Sequence, residues 1–349
     1  MDRVRIKIVD CFLSSIVFFP MTVIYWRGSW DLLDIYVLPR YSKIIRFGSM
    51  YIFGLFGIAA YFSQPLLERQ LRNINGTLRG MLCRFYMYAY SWMNMSVWRG
   101  GWGVLSEAEG DNWKRSAIVL SVSYFLLVLM RTSRTSMWPP FTVNLDFRPD
   151  LLRPTTLMNR MPRKNDLFPY LLDAFLSHVI VFGLAVSVWK NAWDLMDVFI
   201  FPNQPRISDL FCVVAGYFIS TSLFVFQTKL ARVSASMDGR QRWRLIYEDC
   251  VYVFALIALL LLYRGMWNLC SKYILPESSV GALLCHLFGT VSLFSMQIFS
   301  TVGSPGVGRD GYETNGTALF PIRYMSTFFK EVSEGLHAAQ NVLLNEITV

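Results

Sequence analysis

Residues 26–30 read Trp26-Arg27-Gly28-Ser29-Trp30, and the pattern aromatic-basic-x-x-Trp returns three times: Trp98-Arg99-Gly100-Gly101-Trp102, Trp189-Lys190-Asn191-Ala192-Trp193 and Tyr263-Arg264-Gly265-Met266-Trp267. The intervals are 72, 91 and 74 residues, and self-similarity at such spacing marks an internal repeat. Copies one and three are the closest: Trp30-Asp31-Leu32-Leu33-Asp34 matches Trp193-Asp194-Leu195-Met196-Asp197, and Pro39 and Pro202 each follow nine residues after the second Trp. Asp10 and Asp173 also correspond, 16 residues before the first Trp. Copy four keeps its proline at Pro276, whereas copy two lacks it and runs into Glu107, Glu109 and Asp111. The pairing of one with three and two with four points to an ancestral four-helix unit duplicated once.

Working outward, each copy closes an apolar stretch, and eight such stretches lie near 8–27, 44–63, 82–99, 115–131, 169–189, 209–228, 248–264 and 280–301. Their length suits a bilayer core of ~30 Å crossed with some tilt. The expected fold is all-α: a polytopic membrane protein whose eight transmembrane helices form four hairpin repeats in two duplicated halves. The first half spans 1–130 and the second 169–302. Between them lies a basic, Pro-rich cytoplasmic linker over 131–168, and a cytoplasmic C-terminal tail covers 303–349. An even number of helices separates the copies, so they share one orientation and any pseudosymmetry axis lies along the membrane normal, unlike an inverted repeat.

Composition agrees. Of 349 residues, 54% are hydrophobic and 16% charged, against roughly a quarter charged in soluble domains. The net charge of +9 needs no nucleic acid. With the N-terminus inside, 22 Lys and Arg fall on inner segments and 11 on outer loops, which places both termini in the cytoplasm and sets the basic excess against the anionic inner leaflet. The first stretch follows Arg3, Arg5 and Lys7 but ends without a small-residue cleavage site, so it reads as an uncleaved signal anchor. The sequons at Asn75 and Asn315 fall on inner segments and that at Asn94 inside the third span, which predicts that none carries glycan. Six cysteines and three histidines are scattered without ligand spacing, and no phosphate-loop, dinucleotide, zinc-protease or nucleophile-elbow motif occurs. The expectation is no enzyme, no cofactor and no metal.

The motif itself admits two readings. The aromatics at i and i+4 share a helix face, and Arg27 with Asp31, like Lys190 with Asp194, has salt-bridge spacing. One reading is four interfacial anchor belts, since Trp and snorkelling bases favour the headgroup level. The other is an outer vestibule ringed by Arg27, Arg99, Lys190 and Arg264 with neighbouring Asp. Among polar residues within spans, Asp173, His178 and His286 are candidates for an ion or proton route; Asp10, Arg84, Asp173, Glu248 and Asp249 read as inner-end residues relieved by water. Within the linker, Arg148, Arg153, Arg160 and Arg163 are expected to face lipid. The C-terminal Ile347 and Val349 fit a ligand that adds as a strand to a PDZ domain.

The four copies, the Asp-Leu-x-Asp and Val/Ile-x-Pro elements after them, and the eight spans together resemble the Fuseless family of invertebrate eight-pass membrane proteins. What that resemblance implies is a presynaptic protein needed for placing voltage-gated calcium channels and for calcium-dependent vesicle release. A non-enzymatic membrane organiser, with anionic lipids and PDZ or active-zone scaffolds as partners, is the expected function. An ion channel or transporter with a charged outer vestibule is the alternative.

Overall fold

The computed structural model describes residues 3–57, 67–71, 74–110, 112–146, 155–158, 167–274, 278–303, 306–314, 316, 319–320, 324–325 and 327. Eight helices dominate them: α1 (Arg5–Tyr36), α2 (Lys43–Leu55), α3 (Gly76–Glu109), α4 (Trp113–Leu129), α5 (Phe168–Phe199), α6 (Pro205–Ser236), α7 (Gln241–Tyr273) and α8 (Ser279–Ser295). Each overlaps one expected apolar stretch; the second half of the 44–63 stretch lies largely outside the described residues. Four of the helices, α1, α5, α6 and α7, are long and apolar enough to cross a membrane by themselves. Local signals set the boundaries. Asn75 accepts the Thr77 N–H at 2.9 Å, Asn112 the Lys114 N–H at 3.1 Å and Ser278 the Gly281 N–H at 2.9 Å, while Pro205 opens α6.

The four odd helices form an inner ring, and each carries one even helix on its outside. The tightest pairs are α2 with α3, α4 with α5, α6 with α7, and α8 with α1. The expected hairpins α1–α2, α3–α4, α5–α6 and α7–α8 are therefore replaced by pairs shifted by one helix, closed by the last helix packing on the first. The reason sits in the third motif position. A Cβ at Gly28 would lie 2.3 Å from the His286 backbone nitrogen on α8, and one at Gly100 2.3 Å from that of Tyr51 on α2; at Gly265 it would lie 2.9 Å from the Asp209 carbonyl on α6. Glycine lets the preceding even helix approach closely, and nothing equivalent draws in the following one.

The even helices turn apolar residues outward, such as Ile118, Val122, Phe125 and Leu129 on α4 and Val280, Leu284, Leu287 and Val291 on α8. An apolar patch of that extent suits contact with lipid.

Two segments expected outside the bundle are packed inside it. In the stretch read as a lipid-facing linker, Thr132, Ser133, Ser136, Met137, Trp138 and Phe141 are buried, and in the stretch read as a tail, so are Val307, Asp310, Leu319 and Phe320. They hold each other by a reciprocal exchange. The Asp146 carboxylate accepts the N–H groups of Phe299 and Ser300 at 2.9 and 2.7 Å, while the Asp310 carboxylate accepts those of Ser133 and Arg134 at 2.7 and 3.2 Å. The Asp146 and Asp310 N–H groups reach the carbonyls of Gln297 and Arg131, both at 2.8 Å. Thr301 Oγ1 accepts from the Asn144 N–H, and Thr135 Oγ1 from the Gly308 N–H, both at 3.0 Å. Burial outweighs the pull of these donors and pushes both carboxyls above the ordinary value.

The backbone repeats the same correspondence. Leu38 and Phe201 share a φ of 46°, Arg131 and Gln297 have φ of 56° and 58°, and π-helical turns occupy Leu13–Phe18 and Leu176–Val181. Arg131 and Gln297 each end a helix in the left-handed conformation, with the following N–H bonded to the carbonyl five residues back.

Removing either carboxylate orphans two buried donors, each worth ~1–3 kcal/mol. Asp146→Ala and Asp310→Ala are therefore expected to lower the thermal midpoint in detergent by similar amounts, measured side by side.

Candidate functional site

At the centre of the inner ring the two aromatics of every motif copy turn toward the axis and form two tiers. In the first, Trp26 meets Trp98 at 5.4 Å between ring centroids, Trp98 meets Trp189 at 5.9 Å, and Trp189 meets Tyr263 at 5.0 Å, all nearly perpendicular. In the second, Trp30, Trp102, Trp193 and Trp267 close a full ring: 5.6, 5.6 and 6.2 Å, then 5.6 Å back to Trp30. Each edge meets the next face, the arrangement the aromatic quadrupole prefers. Trp138, from the buried segment after α4, packs edge-on against Trp26 and Trp98 at 5.2 and 5.9 Å and closes the tier facing the odd helices' N-terminal ends. Ser136 anchors it by accepting the Trp189 indole N–H at 3.1 Å. Together these rings line a cavity of about 200 Å³ walled by Trp26, Trp30, Trp98, Trp102, Trp138, Trp189, Trp193, Tyr263 and Trp267.

The motif bases point away from this axis, into the contacts between helices. Arg27 lies 3.4 Å from Asp31 and donates to Ser271 at 2.9 Å. Arg99 donates to Asp34 at 2.7 Å, beside Arg46, and stacks 4.2 Å from the Phe47 ring centroid. Lys190 bridges Glu109 at 2.5 Å and Asp194 at 2.8 Å. Arg264 pairs with Asp197 at 2.8 Å and donates to Ser208 at 3.0 Å. The acids follow a rule: Asp31 and Asp194 serve the base of their own copy, while Asp34, Glu109 and Asp197 serve the base of the next. Ion pairs thus tie copy one to two, two to three and three to four, and the Arg27–Ser271 hydrogen bond joins copy four to one. Glu109, in copy two, which like copy four lacks Asp-Leu-x-Asp, supplies the carboxylate for the next copy from further along the helix.

Both readings of the motif are corrected by this geometry. The aromatics are not a belt at the lipid interface, because each is turned onto the next; the bases do not ring a vestibule, because their carboxylate partners hold them between helices. One division of labour fits every copy but one: aromatic to the axis, base to the neighbouring copy, glycine to the outer helix. The exception is Asn191, fully buried, which donates to the Ser187 carbonyl at 2.9 Å.

A family model described as Fuseless matches residues 5–302, a range that contains all four motif copies and all eight helices. The chain belongs to the Fuseless family. None of the curated proteins and none of the solved structures compared with it matches.

In this Fuseless chain the intramembrane polar candidates are structural joints at separate places. Asp173 accepts from Thr156 Oγ1 at 2.6 Å and from the Met158 N–H at 2.8 Å; Asp10 accepts the Met325 N–H at 2.7 Å. Protein donors thus meet both of these acids. Glu248 accepts from Ser234 at 2.5 Å and Asp249 from Ser133 at 3.2 Å. His286 joins three helices through Ser29 at 2.9 Å and Tyr88 at 2.8 Å, and His178 lies 3.3 Å from the Gly54 carbonyl. No group of three or more metal-ligating side chains occurs among the described residues. Arg148, Arg153, Arg160, Arg163, Ile347 and Val349 lie outside the described residues.

Sequence reasoning missed Trp138, Asp146 and Asp310. Glycine at the third motif position in three of four copies was the one visible signal for the helix pairing.

Proposed function

We propose that this protein is an eight-pass membrane protein of two duplicated halves with cytoplasmic termini. It acts as a non-enzymatic organiser of the presynaptic membrane, supporting voltage-gated calcium-channel placement and calcium-dependent vesicle exocytosis. Family membership supports the neuronal role, and the 163-residue offset between the two π-helical turns supports the duplication. The observation that carries the platform reading is that the axis offers no open charged route: Trp138 closes one end of the axial cavity, and all four motif bases are held by carboxylates. The charged outer vestibule of the channel alternative would need those bases on its wall. The outward face is left for lipid and protein partners, and the basic residues Arg148, Arg153, Arg160 and Arg163 with the terminal Ile347 and Val349 are the partner-facing elements.

Purified full-length protein in sealed liposomes is expected to give no ion flux above protein-free vesicles. Flux above that background would replace the platform with a channel or transporter. In neurons, neutralising the four arginines or deleting residues 347–349 is expected to displace calcium channels from release sites while the protein stays folded and at the membrane. Unchanged channel placement in both variants would remove the assigned partner surface.

A further inference from the structure

The cavity at the bundle axis has a chemistry of its own. Its wall is eight indoles and one phenol, its volume about 200 Å³, smaller than the pockets of drug-sized ligands at ~300–1,000 Å³. Trp138 closes it at one end. At the other, Trp30, Trp102, Trp193 and Trp267 are only half-buried, so this tier is the mouth. Rings of this type attract cations through their faces, Trp most strongly, and quaternary ammonium groups are recognised by such aromatic cages. Trp30 already takes the Arg99 guanidinium at 5.1 Å from its centroid.

Two further observations point to a small cation with an acceptor oxygen. Within the motif ion pairs beside the mouth, the acids are the members that keep solvent exposure: the side chains of Asp31, Asp34, Asp194 and Asp197 keep 20, 28, 32 and 52%, whereas their partners Arg27, Arg99, Lys190 and Arg264 keep 1, 13, 2 and 6%. At the same end the exposed Lys43 and Lys272 are paired with Glu107 and Asp209, and Arg40, Lys114, Arg115 and Arg206 are exposed further from the motif. Within the wall, the indole N–H groups of Trp26 and Trp98 and the Tyr263 hydroxyl are buried and have no hydrogen-bond partner among the described residues. Buried donors of this kind call for an acceptor.

We infer that the two aromatic tiers form a binding site for a small quaternary ammonium group bearing a hydroxyl or ester oxygen. The cation sits against the tryptophan faces and the oxygen meets the inner donors. The site stands apart from the platform reading, because occupancy is measured without reference to conduction or calcium channels. The same trimethylammonium group occurs on free choline and on phosphatidylcholine headgroups.

The test uses full-length protein in phosphatidylglycerol nanodiscs, titrated with choline and with its uncharged carbon isostere 3,3-dimethyl-1-butanol, read by tryptophan fluorescence and calorimetry. Choline is expected to bind saturably and at least tenfold tighter than the isostere. Trp102→Leu is expected to weaken choline at least tenfold, Trp102→Phe less, and Trp113→Leu, outside the cavity, not at all. Equal binding of the two probes would overturn the proposal, as would no saturable response or an unaffected affinity in both Trp102 variants. If Trp102→Leu fails to fold, the Trp102→Phe variant and the isostere comparison decide. In phosphatidylcholine nanodiscs, a lowered apparent choline affinity identifies the lipid headgroup as the occupant, and an unchanged one identifies free choline.

Discussion

Gly100→Ala is expected to lower the thermal midpoint of the purified protein sharply, while Gly80→Ala on the same helix leaves it unchanged or raises it. The two differ by one circumstance. A Cβ at Gly100 would lie 2.3 Å from the Tyr51 nitrogen and 2.7 Å from the Phe47 carbonyl, both backbone atoms of α2, whereas nothing lies within 4 Å of one at Gly80. Backbone cannot rotate aside as a side chain can, so α2 has to move away from α3 along its length. Overpacking costs ~1–3 kcal/mol even where side chains adjust, and the displacement here also separates the Arg46–Asp34–Arg99 cluster beside it. At Gly80, alanine instead gains up to about 1 kcal/mol of helix propensity. Equal midpoints for the two variants would show that the α2–α3 contact does not hold the bundle together.

Lys190→Met is the second large effect. The ammonium is buried between Glu109 and Asp194, and Glu109 is itself almost wholly buried. Methionine preserves the length of the side chain and removes the charge, leaving the buried Glu109 carboxylate without its cation and beside the partly exposed Asp194. Breaking a buried pair from one side costs about 3–5 kcal/mol, much of it the penalty of the stranded partner. Adding Glu109→Gln is therefore expected to recover a large part of the loss, and a double-mutant cycle of unfolding midpoints measures how much. Additive losses would mean that Lys190 and Glu109 do not interact.

The repeat and the all-α, apolar character were legible because they are written in local order: Trp26-Arg27-Gly28-Ser29-Trp30 and its three echoes need no tertiary contact to be recognised. The direction in which those residues point was not. Trp26 and Trp30 share a face by helical period, but tryptophan is favoured both at headgroups and in a packed interior, so the pattern alone suits either. The ion pairs were half legible. Arg27 with Asp31 and Lys190 with Asp194 have i, i+4 spacing, while Arg99 with Asp34 and Lys190 with Glu109 join residues 65 and 81 positions apart. The basic charge of the segment after α4 and the polar character of the segment after α8 hid their burial. Asp146 and Asp310 look like surface acids until their partners, more than 150 residues away in the chain, are seen.

By itself the sequence determined the all-α, apolar character, the fourfold recurrence of the aromatic-basic-x-x-Trp motif and membership of the Fuseless family, all of which rest on hydrophobic period and motif recurrence along the chain. Only the tertiary structure decided that α8 closes the ring on α1, that the aromatics meet on an axis while the bases link neighbouring copies, and that two apparent outer segments lock each other inside. Those outcomes depend on which helix face meets which neighbour. Glycine permits that approach, and a carboxylate rewards it only once the distant partner has arrived.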